Sequence, residues 1–220
     1  MLNNARLNRF LSGFAAFGFL FTCPPQLIAQ ESSSQMIRRF QRAVVVVTTY
    51  DDRGKPLLQG SGFFIASDRV VTSSHLIRHA SQIRVKTFDG ATVTVQSVLA
   101  FSDKTDLAVL QIQPTGLDVA SFQLENSPPL KGEPVILISN PQGAHWKISH
   151  GNVGQTWEFS DLGKRIEITA AVRPGSSGGP VINDQGRVIG VAAMHVPGAD
   201  DLNFAVPSES LRALQASAGL

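Results

Sequence analysis

Ser177 stands among glycines in Pro174-Gly175-Ser176-Ser177-Gly178-Gly179-Pro180. A serine hydroxyl is a weak nucleophile, and it attacks an acyl carbon only when an adjacent base takes its proton. Glycines on both sides permit a tight backbone and close substrate approach. They also let successive N–H groups point into one small cavity where a developing oxyanion can sit, each such donor being worth roughly 10²–10³ in rate. The same string also reads as a plain Gly/Ser turn between two strands.

A base is available at His75, in Val71-Thr72-Ser73-Ser74-His75-Leu76, just past the end of a predicted strand. His79 adds an H-x-x-x-H spacing of the kind found in zinc pairs, but no glutamate lies between the two and no third ligand is evident. No metal or cofactor is expected. Asp106, in Thr105-Asp106-Leu107-Ala108-Val109-Leu110, opens an apolar strand. A carboxylate there is either a solvated turn residue beside Asp103 or the group that holds a histidine in the right tautomer. Each residue has an ordinary structural explanation when taken singly. Their joint presence makes acyl transfer the chemistry to test.

These side chains need a scaffold. The chain has 220 residues, 43% hydrophobic and 16% charged, which allows a sizeable packed core. Its 19 glycines and 12 prolines are scattered, as turns between short strands would be. After a polar stretch and a short helix through Arg42, β-branched and alternating runs predict strands over 43–50, 62–66, 69–72, 82–87, 91–100 and 107–112. Asp89-Gly90 between two of them is a hairpin signal. Residues 113–132 lack a sustained period and read as a connector. A second set follows over 134–139, 146–156, 164–170, 179–182, 187–194 and 203–206. Six strands, a connector and six strands predict two antiparallel barrels. A short terminal helix begins at Ser208 as N-cap, with Leu211 and Leu214 facing inward. No internal repeat of fixed period is visible.

The order His75, Asp106, Ser177 is that of the trypsin-type double barrel. Gly175-x-Ser177-x-Gly179 also matches the nucleophile elbow of α/β-hydrolases, but that fold needs its acid and histidine after the serine, where 43 residues remain. The sequence resembles the trypsin-like serine peptidases of the HtrA (Deg) type. The resemblance rests on Gly60-Ser61-Gly62-Phe63, the His75 and Asp106 segments, Asn140-Pro141-Gln142-Gly143, the run from Ile168 to Pro180, and Asn203-Phe204-Ala205-Val206-Pro207-Ser208. It implies an all-β fold, a trypsin-like double six-stranded antiparallel β-barrel with a short C-terminal helix and a cleft between the barrels. It further implies Ser177 as nucleophile, His75 as general base, Asp106 as orienting acid, and the amides of Gly175 and Ser177 as oxyanion donors. The primary substrate pocket is expected at Ala171, Ala192, Ala193, Met194 and His195. No acid stands at the pocket floor, so small or medium aliphatic side chains are the expected preference.

Three departures from the family pattern stand out. Ser176 replaces the aspartate that captures a new N-terminus in trypsin-like zymogens, so activation through that buried ion pair is not expected. Thirteen residues follow Pro207, so the PDZ domain usual in HtrA proteins is not expected here. Ser139 replaces the glycine usual before Asn140-Pro141.

Arg6 and Arg9 precede a 12-residue apolar stretch, 10–21, too short to cross about 30 Å of hydrocarbon as a helix. This predicts a signal peptide over 1–29, followed by an N-terminal segment 30–42, a first barrel 43–112, the connector 113–132, a second barrel 133–207 and the helical end 208–220. A lipoprotein signal ending at Cys23 is the rival reading. Loss of Arg6 and Arg9 takes the 19 basic groups to 17, equal to the 17 acidic ones, so nucleic acid is not an expected partner. Cys23 is the sole cysteine, which fits a disulfide-free protein of the bacterial periplasm or exterior. Polypeptide substrates are expected, with no stable membrane insertion and with oligomeric state unassigned. An inactive peptide-binding protein of this fold and an esterase using the same three residues are the alternatives.

Overall fold

The computed structural model describes residues 33–113, 119–140, 146–193 and 202–220. A helix, α1 (Ser33–Ala43), leads into β1 (Val44–Tyr50), β2 (Pro56–Ala66) and β3 (Arg69–Thr72). A single helical turn, α2 (Ser74–Ile77), precedes β4 (Gln82–Lys86), β5 (Thr92–Ser102) and β6 (Leu107–Ile112). The second set is β7 (Pro134–Ser139), β8 (Lys147–Phe159), β9 (Gly163–Ile168), β10 (Pro180–Ile182), β11 (Val188–Ala193) and β12 (Asn203–Pro207), followed by α3 (Ser208–Ser217).

Each set closes into a six-stranded antiparallel barrel. The first has the order β1-β2-β3-β6-β5-β4 and the second β7-β8-β9-β12-β11-β10. The two orders are the same, a repeat of topology that leaves no visible period in the sequence.

The apolar residues fall into three clusters, one inside each barrel and one between them. Val45, Val47, Ala108, Leu110 and Ile112 fill the first barrel, while Val135, Leu137, Ile166, Ile168 and Ile189 fill the second. Val44, Phe63, Val71, Leu107, Val109, Ile138, Val188 and Val191 form the cluster shared by both. This explains why β1 begins VVVV instead of alternating with polar residues. Val44 packs in the shared core while Val45 and Val47 fill the first barrel, and all four valines are buried. Burying each such side chain contributes roughly 1.5–3 kcal/mol.

The connector is stitched to both barrels. The Phe122 amide donates to Phe64 O at 2.9 Å in the first, and the Val188 amide of the second donates to Gln123 O at 2.9 Å. The Phe122 ring stacks on Phe40 of α1 at 4.9 Å and meets Phe63 edge-on at 5.7 Å. Three aromatic rings from α1, β2 and the connector thus occupy the shared core.

Several strand ends differ from expectation. β2 starts at Pro56, not at 62, because Asp51 Oδ1 accepts from the Arg53 and Lys55 amides and closes the β1–β2 hairpin early. β8 runs on to Phe159, pairing Trp157 with Arg165. Ser208 is not an N-cap. It is the first residue of α3, and its hydroxyl donates to Glu125 O at 2.9 Å, tying the helix to the connector. Leu211 is fully buried and Leu214 packs on the shared core.

Candidate active site

His75 is set by the passage from β3 into α2. Thr72 ends β3, Ser73 is extended at φ −78°, ψ 138°, and the chain then turns helically for four residues. This single turn projects the His75 side chain while Leu76 and Ile77 anchor it in the first barrel. Asp106 precedes β6, which pairs with β3, so the strand pairing itself brings the two residues together.

The contact between them is close. His75 Nδ1 lies 3.0 Å from Asp106 Oδ1 and 2.9 Å from Oδ2. The His75 amide also donates to Oδ1 at 2.9 Å, and the Ser74 hydroxyl donates to it at 3.1 Å. Asp106 has φ +58°, the one described non-glycine residue in the left-handed region, which costs energy that surrounding bonds must offset. The turn beneath it is latched by Arg78 of the α2 end, whose Nη2 lies 2.7 Å from Asp103 Oδ1. Burial pushes the Asp106 pKa up. The His75 ring bond and charge, the His75 amide and the Ser74 hydroxyl together outweigh it and hold the carboxyl below its ordinary value.

The loop carrying Ser177 belongs to the second barrel but is held against the first. The Ser61 amide of β2 donates to Ser177 O at 2.9 Å, and the Ser61 hydroxyl donates to Gly175 O at 2.8 Å. Gly178 has φ +85°, and a Cβ there would come 2.2 Å from Ser61 O, 2.7 Å from Thr72 Oγ1 and 3.0 Å from the Ser73 amide nitrogen. Only glycine lets the loop close onto the segment that leads to His75.

Accounting for the amides of residues 173–179 is informative, because buried backbone donors are nearly always paired. Arg173 donates to Ser176 Oγ and Ser176 to Arg173 O. Gly178 donates to Ala192 O and Gly179 to Ser176 O. Pro174 has no N–H. Among the described residues, the Gly175 and Ser177 amides donate no hydrogen bond. These are the two amides that the sequence resemblance assigned to an oxyanion. Ser177 itself is 1% exposed, and its Oγ is buried without a hydrogen-bond partner among the described residues. No hydrogen bond therefore joins Ser177 Oγ to His75 in this structure.

The expected pocket residues divide. Ala171 is exposed, with its amide held by Ser149 Oγ at 2.8 Å. Ala192 and Ala193 are consecutive on β11 and so face opposite ways, Ala192 into the second barrel and Ala193 into the shared core. Met194 and His195 lie outside the described residues, as do residues 1–32 with Cys23. Among the described residues no group of His, Cys, Asp and Glu is arranged to hold a metal. No described helix is long and apolar enough to cross a membrane.

Residues 60–191 match the family described as trypsin-like peptidase domain. The chain belongs to this family. Among curated relatives, the trypsin-like domain is 34% identical over 165 residues to the "Probable periplasmic serine endoprotease DegP-like" of Chlamydia pneumoniae, covering 71% of this chain and 33% of that protein. It is 27% identical over 180 residues to an anti-sigma-I factor of Acetivibrio thermocellus, covering 81% of this chain and 25% of that protein. The chain thus spans a quarter to a third of the length of these relatives. The solved serine endoprotease of Yersinia pestis shares the fold at TM-score 0.72 and 24% identity, over 84% of this chain and 65% of that one.

Ser61, Ser74 and Thr72 went unassigned in the sequence. Ser61 stands inside the Gly60-Ser61-Gly62-Phe63 motif, where nothing in the residues marks its role. A serine within a strand has no signature, and its partners are up to 114 residues away.

Proposed function

We propose that this trypsin-like peptidase domain is an exported serine endopeptidase that works through an acyl-enzyme. In this reading Ser177 Oγ attacks the scissile carbonyl carbon, and its proton passes to His75 Nε2. The carbonyl oxygen, now an oxyanion, takes hydrogen bonds from the Gly175 and Ser177 amides. The tetrahedral intermediate collapses, the C–N bond breaks, and His75 gives its proton to the leaving amine. Water then repeats the sequence and releases the acid. Asp106 keeps the His75 Nδ1 proton in place and stabilises the imidazolium.

The observation that carries the reading is the pair of amides at Gly175 and Ser177, unbonded among the described residues, in a loop whose other N–H groups are all used. Such donors act where charge develops. The bidentate contact of His75 with Asp106 supports the assignment of base and orienting acid. Export rests on the basic and apolar pattern of residues 1–29, and the similarity to a probable periplasmic serine endoprotease supports it. For the specificity pocket, Ala171 and the unassigned stretch 194–195 remain the proposed walls.

One observation favours a second reading, a peptide-binding protein that does not cleave. Ser177 Oγ has no hydrogen bond to His75, so a shift of the side chain or of α2 must precede attack. Apo sites often tighten only with substrate. Labelling with an active-site fluorophosphonate separates the two. The endopeptidase labels and cleaves casein, and Ser177→Ala does neither. A native protein that stays unlabelled from pH 6 to 9 establishes the binding protein instead.

A further inference from the structure

The two departures from the family pattern that flank the site meet each other. Ser139 Oγ, at the end of β7, lies 3.1 Å from Ser176 Oγ, and both residues are buried. Ser176 Oγ accepts from the Arg173 amide at 3.3 Å, while the Ser176 amide donates back to Arg173 O at 2.8 Å. The turn 173–176 is thus tied at both of its ends by one residue. On its other side, Ser61 Oγ accepts from the Asn140 amide at 3.0 Å and donates to Gly175 O at 2.8 Å. Ser139 and Asn140 are adjacent, so one β7 corner supports both hydroxyl contacts.

We propose that the hydroxyls of Ser61, Ser139 and Ser176 form a clamp that fixes the orientation of the Pro174–Gly175 peptide, making all three positioning residues for the oxyanion donors. The proposal rests on the reading of the Gly175 and Ser177 amides given above. A turn with proline second and glycine third has two accessible forms that differ by a flip of the central peptide. At the third position the two forms have φ near −90° and near +80°. Gly175 has φ +88°, so the turn is of the second type, and the flip would turn its N–H away from its present direction. Glycine by itself tolerates both signs of φ. Something outside the glycine must choose. The Ser61 hydroxyl holds the Gly175 carbonyl, and the Ser176 hydroxyl holds the Arg173 amide across the turn. Ser139 fixes the rotamer of Ser176. Every donor and acceptor in the clamp is a hydroxyl or a backbone group, so no ionised side chain and no new N-terminus is needed to set the turn.

The test uses the full chain with Ser139→Ala, Ser176→Ala, their double variant, Ser61→Ala, and Ser139→Thr, which keeps the hydroxyl. Two readouts are taken: hydrogen–deuterium exchange of a peptide spanning 171–180, and the rate of fluorophosphonate labelling with KM for a cleaved peptide. Each alanine variant is expected to exchange faster in that peptide and to label roughly tenfold more slowly with KM unchanged. That is well short of the 10²–10³ lost with a whole oxyanion donor. The double variant is expected to be no slower than the worse single, and Ser139→Thr to match native. Native labelling rates in all variants with unchanged exchange overturn the clamp and leave the peptidase reading standing. Multiplying effects in the double variant also overturn it, because independent sites multiply and coupled ones do not. If the native protein does not label, the peptidase reading fails and exchange alone decides: faster, non-multiplying exchange in the variants upholds the clamp, and native exchange refutes it.

Discussion

Asp106 Oδ1 accepts from His75 twice, from the backbone amide at 2.9 Å and from ring Nδ1 at 3.0 Å. The imidazole is therefore gripped at its base and at its ring by one carboxylate oxygen, while Oδ2 reinforces the ring contact at 2.9 Å. Ring orientation and tautomer are both set by a residue in an unfavourable backbone conformation. Asp106→Asn keeps the shape and loses the charge and the preference for a protonated Nδ1. Its expected effect is a fall in kcat of about 10⁴, the size seen when the carboxylate of a Ser-His-Asp triad is neutralised in serine proteases. Steady-state kinetics on a cleaved peptide, beside circular dichroism of the variant, would check it. A fall of less than tenfold would remove Asp106 from the mechanism.

The same contact makes stability depend on pH. The folded pKa of Asp106 lies below its ordinary unfolded value, so the carboxylate favours the folded chain. That contribution is complete above the unfolded value, about 3.9, and is lost as pH falls through the folded one. Thermal melts of native and Asp106→Asn proteins should show a gap in Tm that is constant from pH 5 to 8 and narrows below about pH 4. A gap that widens in acid contradicts the assignment.

Two glycines offer a controlled comparison. Gly54 and Gly178 both have positive φ, +76° and +85°, but nothing lies within 4 Å of a Cβ at Gly54. Gly54→Ala bears the backbone cost alone, about 1–2 kcal/mol. Gly178→Ala adds a clash with Ser61 O and is expected to cost more than about 3 kcal/mol and to abolish labelling. Urea titrations of both variants give the difference. Equal losses would mean that the loop does not press on β2 as described.

Ser177→Ala should be no less stable than the native protein, and about 1 kcal/mol more stable is the expected result. Its hydroxyl is buried and unbonded, and removing an unsatisfied polar atom restores part of its desolvation cost. Activity and stability are then in opposition at this one atom, a trade expected of functional sites. Differential scanning calorimetry at neutral pH measures it. A clear loss of stability would imply a bond to Ser177 Oγ that the structure lacks.

Much of this arrangement was legible in the residues. The run Val44–Val47 announced a strand, and its burial on both faces explains why the run is unbroken. The order of His75, Asp106 and Ser177 was legible because local motifs mark each one. What could not be read was anything that depends on side chains meeting over long separations in the chain. Ser61 is an ordinary serine until its partners Gly175 and Asn140 arrive from the other barrel. Ser139 and Ser176 are two separate departures in the sequence, and only folding makes them a pair. Ser208 carries the chemistry of an N-cap, yet tertiary contact with Glu125 claims its hydroxyl. The twin barrel topology was hidden because hydrogen-bonded strand order imposes no residue-by-residue period.

The stitching of Phe122 to β2 and of Gln123 to β11 bears on how the molecule can be made. His75 and Asp106 emerge with the first barrel, but the loop of Ser177 is fixed by Ala192 of β11, far later in the chain. A ribosome that has released only β1–β6 has released an apolar face, including Phe63, Val71 and Val109, with nothing yet to cover it. Neither barrel is a finished object without its twin. Assembly of the proposed catalytic centre therefore waits for β11, and a chain interrupted before that strand cannot complete it.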